Sequence, residues 1–249
     1  MLKTLGIVEV RTNSDLARLT ACRRLGGKSL LEWVVRAMTE SLGLDAVIIS
    51  APEIAETAEL AELAPCDVPL FVSDRTDALA RFAAALEEYP ARAVVRVAAE
   101  HPFVDPVLID RLVTTAASHP EADYIGYCSR SGRPVVMSPL GAIGEWIRTS
   151  AIRRANREAV EASDREQLSA YFHARPEKFN LRLIPIPQQL DRDDVRLTIG
   201  GEEDWERTQT IFEALGPEPL DYQRIADLLH HQPALRERMA VLNRMVDAI

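Results

Sequence analysis

The chain has little cysteine. Cys22, Cys66 and Cys128 are scattered along 249 residues, and no two form a C-x-x-C pair. A disulfide framework is excluded, and the thiols suit a reducing compartment. Glycine-rich phosphate loops are also missing, since neither G-x-G-x-x-G nor G-x-x-x-x-G-K-[ST] occurs. No apolar run reaches the roughly 18 residues that span a bilayer. Met1 to Leu5 lack the apolar core and cleavage site of a signal peptide. A cytoplasmic, soluble protein without membrane contact is expected. Basic charge is outnumbered: 29 Lys and Arg face 38 Asp and Glu, a formal net charge of −9. Nucleic-acid affinity rests on phosphate contacts and calls for the opposite balance, so nucleic acid is not expected as a partner.

What is present is an ordinary globular composition, 47% hydrophobic and 27% charged. Strand and helix signals alternate through the first 120 residues. Leu5 to Val10, Ala46 to Ser50, Leu70 to Val72 and Ala93 to Val97 are short apolar, β-branched runs. Between them, Ser29 to Ser41, Ile54 to Leu63, Arg75 to Tyr89 and Pro106 to Ser118 carry apolar residues at helical spacing. This predicts an α/β fold, a mostly parallel sheet with helices on both faces. In the second half, Tyr124 to Tyr127 and Val135 to Met137 read as short strands. Phe179 to Ile184 reads as an antiparallel or edge strand stopped by Pro185 and Pro187. Glu202 to Leu215 reads as a helix, and so does the tail from Tyr222, with a break near Pro233. Without repeat or long linker, residues 1–249 are expected to form one domain with a helical tail from about 221 to 249.

Ligands of open α/β sheets sit at the carboxyl ends of the strands. The loop after the first strand, Arg11 to Lys28, holds Arg11, Arg18, Arg23, Arg24 and Lys28 against one acid, Asp15. Such a loop suits a polyphosphate. A solvated loop with scattered arginines is the plainer alternative. Gly26-Gly27-Lys28 alone is weak, because a glycine pair often makes only a turn.

Longer stretches carry a resemblance. Leu25 to Val34 (LGGKSLLEWV) is similar to the L-G-G-K-P-L-L-E-x-V segment of the cytidylyltransferase family. In order along the chain, Ser73 to Phe82 resembles S-E-x-D-V-L-x-R-F, and Val95 to Pro106 resembles V-R-I-T-G-D-C-P-L-I-D-P. Asp164 to Phe179 resembles S-R-E-H-V-T-P-Y-x-x-x-x-P-E-K-F, and Leu197 to Asp204 resembles L-T-V-D-T-P-E-D. The spore-coat-polysaccharide branch, related to acylneuraminate and 3-deoxy-manno-octulosonate cytidylyltransferases, is the nearest pattern. The resemblance implies a Rossmann-like, GT-A-like three-layer nucleotidyltransferase fold. It also implies attack of a substrate oxygen on the α-phosphate of CTP, release of pyrophosphate, Mg²⁺, a small anionic sugar-like substrate and a homodimer.

Carried over residue by residue, the resemblance assigns Arg11, Arg18 and Arg23 to the triphosphate as catalytic cations. Gly26, Gly27, Lys28 and Arg96 go to the nucleotide, Asp77, Arg81, Arg165 and Glu166 to the substrate cleft, and Glu100 to the metal. The departures are specific. Without gaps, Leu16 and Thr20 replace the family's second Arg and its Lys; a two-residue shift restores Arg18, with Arg23 or Arg24 standing in. The first metal Asp is Glu100, the second is Gly200, and the His of R-E-H is Gln167. Losing a metal ligand and a phosphate cation slows metal-dependent phosphoryl transfer by orders of magnitude. A divergent enzyme and a catalytically degenerate nucleotide- or partner-binding subunit therefore both stand.

Other residues have plain alternatives. Asp191-Arg192-Asp193 has the D-x-D form of sugar-nucleotide glycosyltransferases, a further alternative, but sits in a polar run. His230 and His231 point about 100° apart on a helix and cannot easily share an ion. His101 follows Glu100 and reads as structural or supporting rather than ligating. Arg96, inside a strand, needs either a nucleotide or a buried ion pair. Asp77 and Arg81, one turn apart, either pair together or shape the cleft. Trp33, Trp146 and Trp205 read as core residues on helical faces. Glu202, Glu203 and Asp204 read as decorating a helix N-terminus.

Overall fold

The computed structural model describes residues 1–11, 20–54, 57–75, 77–216 and 220–247. The apolar runs form a seven-stranded sheet: β1 (Leu2–Glu9), β4 (Ala46–Pro52), β5 (Leu70–Ser73), β6 (Ala91–Ala98), β7 (Tyr124–Cys128), β8 (Glu145–Arg148) and β9 (Leu181–Pro185). A two-stranded hairpin, β2 (Arg24–Leu25) and β3 (Lys28–Ser29), stands apart. The sheet order is β5-β4-β1-β6-β8-β7-β9. Only β8 runs antiparallel to its neighbours.

Ten helices lie wholly within the described residues: α1 (Leu30–Thr39), α2 (Thr57–Leu63), α3 (Ala78–Glu88), α4 (Pro106–Ser118), α5 (Thr149–Glu158), α6 (Ala162–Glu166), α7 (Leu168–His173), α8 (Glu202–Leu215), α9 (Tyr222–His231) and α10 (Pro233–Asp247). Their starts follow from local chemistry. Ser29 caps α1 by accepting from Glu32 N at 3.0 Å, and Asp77 caps α3 by accepting from Ala80 N at 2.8 Å. Asp105 caps α4 ahead of Pro106, and its second oxygen accepts from Tyr222 N at 2.8 Å, tying α9 to α4.

The helices divide over the two sheet faces. Leu31, Val34, Val35 and Met38 of α1 and Leu108, Ile109 and Leu112 of α4 pack with Val8, Val95 and Val97 on one face. The tail joins them through Ile225, Leu229, Leu235 and Met239. On the other face, α3, α5 and α7 cover Leu5, Ile7, Val94 and Ile147. The three-layer α/β arrangement expected from the alternation is present.

Several local readings change. Val135–Met137 is a 3-10 turn rather than a strand, started by Pro134. β8 was not foreseen: the sequence before it, Gly141 to Gly144, carries no strand signal, and the strand is only four residues long. β9 is an edge strand, as the prolines require, but parallel to β7. Trp146 is buried on β8, not on a helix, because it sits between β6 and β7.

Candidate active site

The strand order reverses between β1 and β6, since β4 and β5 lie on one side of β1 and β6 on the other. Loops leaving two such strands part from each other and open a crevice. Arg11 follows β1 and Glu100 follows β6, and their side chains form an ion pair across it. Glu100 is buried and Arg11 is half-exposed. Arg11 Nε and Glu100 Oε2 are buried and make no hydrogen bond among the described residues. His101 lies beside them. Burial, then the guanidinium groups of Arg11 and Arg96, lower its pKa to about 3, against a backbone hydrogen bond at Ile143. A neutral ring therefore stands there, a supporting group rather than a charge.

The basic loop reaches the next element. Arg18, with Asp15 and Leu16, lies outside the described residues. Arg23 donates to both carboxylate oxygens of Glu202 at 2.6 and 2.8 Å and stacks on Trp205, 4.1 Å from the ring centre. Gly26 and Gly27 make the β2–β3 turn with φ of +58° and +89°, values that favour glycine. Lys28 is exposed, 4.8 Å from the centre of the Trp33 ring. Trp33 donates to Leu25 O at 2.8 Å and meets Phe212 edge-on. The hairpin is thus fastened to α8, with Lys28 turned to solvent.

A second group gathers on the α3, α5 and α7 face. Arg96 donates to Glu9 at 2.6 Å and to Glu145 at 2.5 Å, and also reaches Ser169 at 3.1 Å. Burial alone would lower its pKa; the two carboxylates outweigh that and raise it. Of its two readings, the buried ion pair is the one visible here. Tyr124 donates to Glu145 at 2.7 Å, and His173 Nε2 lies 3.2 Å from the Tyr124 hydroxyl. Arg81 lies 3.9 Å from Glu9 and is buried. Asp77 spends its carboxylate on the α3 cap and on Arg165 at 3.1 Å. Partial burial first, then Asp77 and Glu9, raise the Glu166 pKa against the pull of Arg81. Asp77, Arg81, Arg165 and Glu166 therefore converge, and they join Ser169 and His173 and also Glu9, Glu145 and Tyr124, which lie outside the matched motifs.

The third group surrounds Gly200. Asp204 accepts from Gly200 N at 2.9 Å and receives a two-pronged bond from Arg196 at 2.7 and 2.8 Å. Arg207, buried, pairs with the same carboxylate. Burial, then Arg196 and Arg238, bring the Arg207 pKa down to about 10. A Cβ on residue 200 would stand 3.1 Å from an Arg196 nitrogen. The acids at the start of α8 thus serve arginines. Asp191, which accepts from Arg130 N at 2.8 Å, and Asp193 line a cavity of about 820 Å³ with Val135, Leu140 and Arg196. His230 and His231 are exposed and stack edge to face.

A mostly parallel sheet whose strand order reverses between β1 and β6, with helices on both faces, defines an α/β protein, and the solved structures it matches share this nucleotidyltransferase fold. The family model described as Cytidylyltransferase matches residues 5–243, and the chain belongs to that family. It is 25% identical over 244 residues to the spore coat polysaccharide biosynthesis protein SpsF of Bacillus subtilis, covering 94% of this chain and 97% of that one. A cytidylyltransferase structure from Leptospira borgpetersenii matches with a TM-score of 0.82 at 18% identity, over 94% of this chain and 95% of its own. A CMP:2-keto-3-deoxy-manno-octonic acid synthetase complexed with CTP matches with a TM-score of 0.64 at 10% identity, over 85% of this chain and 99% of its own.

The implied Mg²⁺ does not suit the donors described. The ion takes hard oxygen ligands in tight octahedral geometry. Glu100 already accepts from Arg11, whose positive charge would face the ion, and Gly200 offers no side-chain ligand while Arg196 fills the space beside it. Among the described residues, no group of three or more His, Cys, Asp or Glu is placed to hold a metal.

Proposed function

We propose that the chain binds CTP in the crevice between β1 and β6 and transfers CMP to a small sugar-like acid in polysaccharide or related biosynthesis. An acceptor oxygen attacks the α-phosphorus, the bond to the bridging oxygen breaks, and pyrophosphate leaves with that electron pair. The proton of the attacking group passes to solvent. Arg11, Arg18 and Arg23 would meet the phosphoryl oxygens, where negative charge builds in such a transfer. Gly26, Gly27 and Lys28 would border the nucleotide. Asp77, Arg81, Arg165 and Glu166 would border the acceptor, with Arg96 holding Glu9 and Glu145 in place behind them.

The observation that carries this reading is Arg11 at the strand-order reversal, at the head of a basic loop. A second reading, nucleotide binding without turnover, is favoured by Arg196 against Gly200 where the family pattern has a carboxylate. Thermal melts with CTP, UTP, ATP and GTP test the first step: CTP raises the midpoint most. No shift with any nucleotide at millimolar concentration sinks both readings. Pyrophosphate release with 2-keto sugar acids and acylneuraminates then separates enzyme from binder.

A further inference from the structure

We propose that this site takes the nucleotide without a divalent cation, with Arg11 paired to Glu100 and Arg196 set against Gly200, the two positions where the family pattern places its metal carboxylates. The inference rests on the nucleotide reading above and deepens it. Two observations on different elements lead to it.

At the first position, the Glu100 carboxylate does not face open space. Arg11 reaches it from β1, so the pair brings a guanidinium, not a vacant ligand, to the crevice. Arg11 keeps a buried Nε with no hydrogen bond among the described residues, and Glu100 keeps a buried Oε2 in the same condition. A phosphate oxygen beside Arg11 would satisfy the donor. The fork of a guanidinium matches phosphate geometry and needs no metal to do so.

At the second position, Gly200 removes the side-chain ligand, and the Arg196 guanidinium fills the space where a side chain would begin. Asp204 holds that guanidinium by both prongs, which fixes its plane. Arg207 draws on the same Asp204, so two buried or half-buried guanidinium groups share one carboxylate. The surplus of positive charge opposes a cation and favours an anion. Metal carboxylates repel a polyphosphate until an ion sits between them. Here Arg11 already neutralises the carboxylate at the first position, and Arg196 with Arg207 leaves a positive surplus at the second.

Calorimetric titration of the full chain with CTP, once with excess Mg²⁺ and once with EDTA, reads this directly. The dissociation constant in EDTA is expected to equal that in Mg²⁺ within about threefold, or to be tighter, since free CTP carries more charge. A value more than about tenfold weaker in EDTA overturns the inference and leaves the nucleotide reading intact. No heat of binding in either buffer overturns the nucleotide reading, and this one with it. The variant Arg11→Gln, at a half-exposed side chain, is expected to weaken binding in EDTA about tenfold and to recover part of it in Mg²⁺, because Glu100 is then released. Unchanged affinity of Arg11→Gln in EDTA counts against the inference. Arg196→Met, checked for folding by circular dichroism, is expected to lose binding alike in both buffers. Binding as tight as that of the parent chain overturns its part.

Discussion

Arg165 lies 3.1 Å from Asp77 and thereby joins the C-terminal end of one helix to the N-terminal end of another. Its guanidinium also donates to Asn156 O and Ala159 O, both at 3.0 Å, and to Asn156 Oδ1 at 2.7 Å. The last carbonyls of α5 and the cap of α3 therefore share one cation, which suits the negative C-terminal end of α5 and meets the Asp77 carboxylate at α3. Arg165→Ala is expected to cost about 2 kcal/mol in urea denaturation. Arg165→Lys should recover less than half of that, because one ammonium nitrogen cannot span the acceptors that the two guanidinium nitrogens divide between them. A loss below about 0.5 kcal/mol for Arg165→Ala would mean the bridge holds nothing.

Asp77 allows the two duties of one carboxylate to be separated. Asp77→Asn keeps a capping oxygen for Ala80 N and gives up the charge toward Arg165. It should cost about 0.5 kcal/mol, against about 1.5 kcal/mol for Asp77→Ala, which loses both. Equal costs would show that the cap contributes little.

Gly26 tests how the β2–β3 hairpin is held. Its φ is +58°, and an added Cβ would stand 2.4 Å from the Phe212 ring. Gly26→Ala must therefore strain the turn and push the hairpin off α8. A loss of about 2 kcal/mol or more is expected, with Trp33 fluorescence shifting as its edge-on contact with Phe212 loosens. Gly27→Ala, with a φ of +89° but nothing within 4 Å of its Cβ, should cost less. Reversal of that order would contradict the packing argument.

The sequence carries the sheet and most helices because the apolar periodicity is strong there. Pro106 marks the first residue of α4, and Pro233 opens α10 after the break. β8 escapes because four residues in the centre of a sheet hold too little periodicity to be seen. The buried charged group around Arg96 was legible only in part. Asp77, Arg81, Arg165 and Glu166 came from motif positions, whereas Glu9 and Glu145 did not. A signal for Glu9 existed: Glu9 and Arg96 are each the one charge in the apolar runs Leu5 to Val10 and Ala93 to Val97, and two adjacent strands with opposite buried charges are expected to pair them. Nothing in the sequence marks Arg196 as a neighbour of Gly200, because Asp204 brings them together from a helix.

That buried pairing gives a sharp test. Arg96→Met removes the only cation within 3 Å of both Glu9 and Glu145 among the described residues, leaving two carboxylates to desolvate without it. A loss of about 3 to 5 kcal/mol is expected at pH 7, measured by chemical denaturation. The double change Glu145→Gln with Arg96→Met should cost less than the sum of the singles, since the two side chains act as one unit. Strict additivity would mean that they do not interact.

His101 sets the acid side of the stability curve. Its pKa falls from 6.5 in the unfolded chain to about 3 in the fold, mainly by burial. Below pH 6.5 the unfolded chain binds a proton that the native ring refuses, so stability drops as pH falls and the loss levels off near pH 3. At pH 5 this amounts to about 2 kcal/mol relative to pH 8. His173, lowered by burial against the pull of Glu145, works in the same direction. Glu166, raised by partial burial, works against them as pH falls. His101→Gln cannot take the proton. Its urea midpoint is therefore expected to fall less between pH 8 and pH 5 than that of the parent chain, whatever its absolute stability. Parallel pH profiles for the two would show that the ring is solvated, and the neutral histidine beside Arg11 and Glu100 would have to be abandoned.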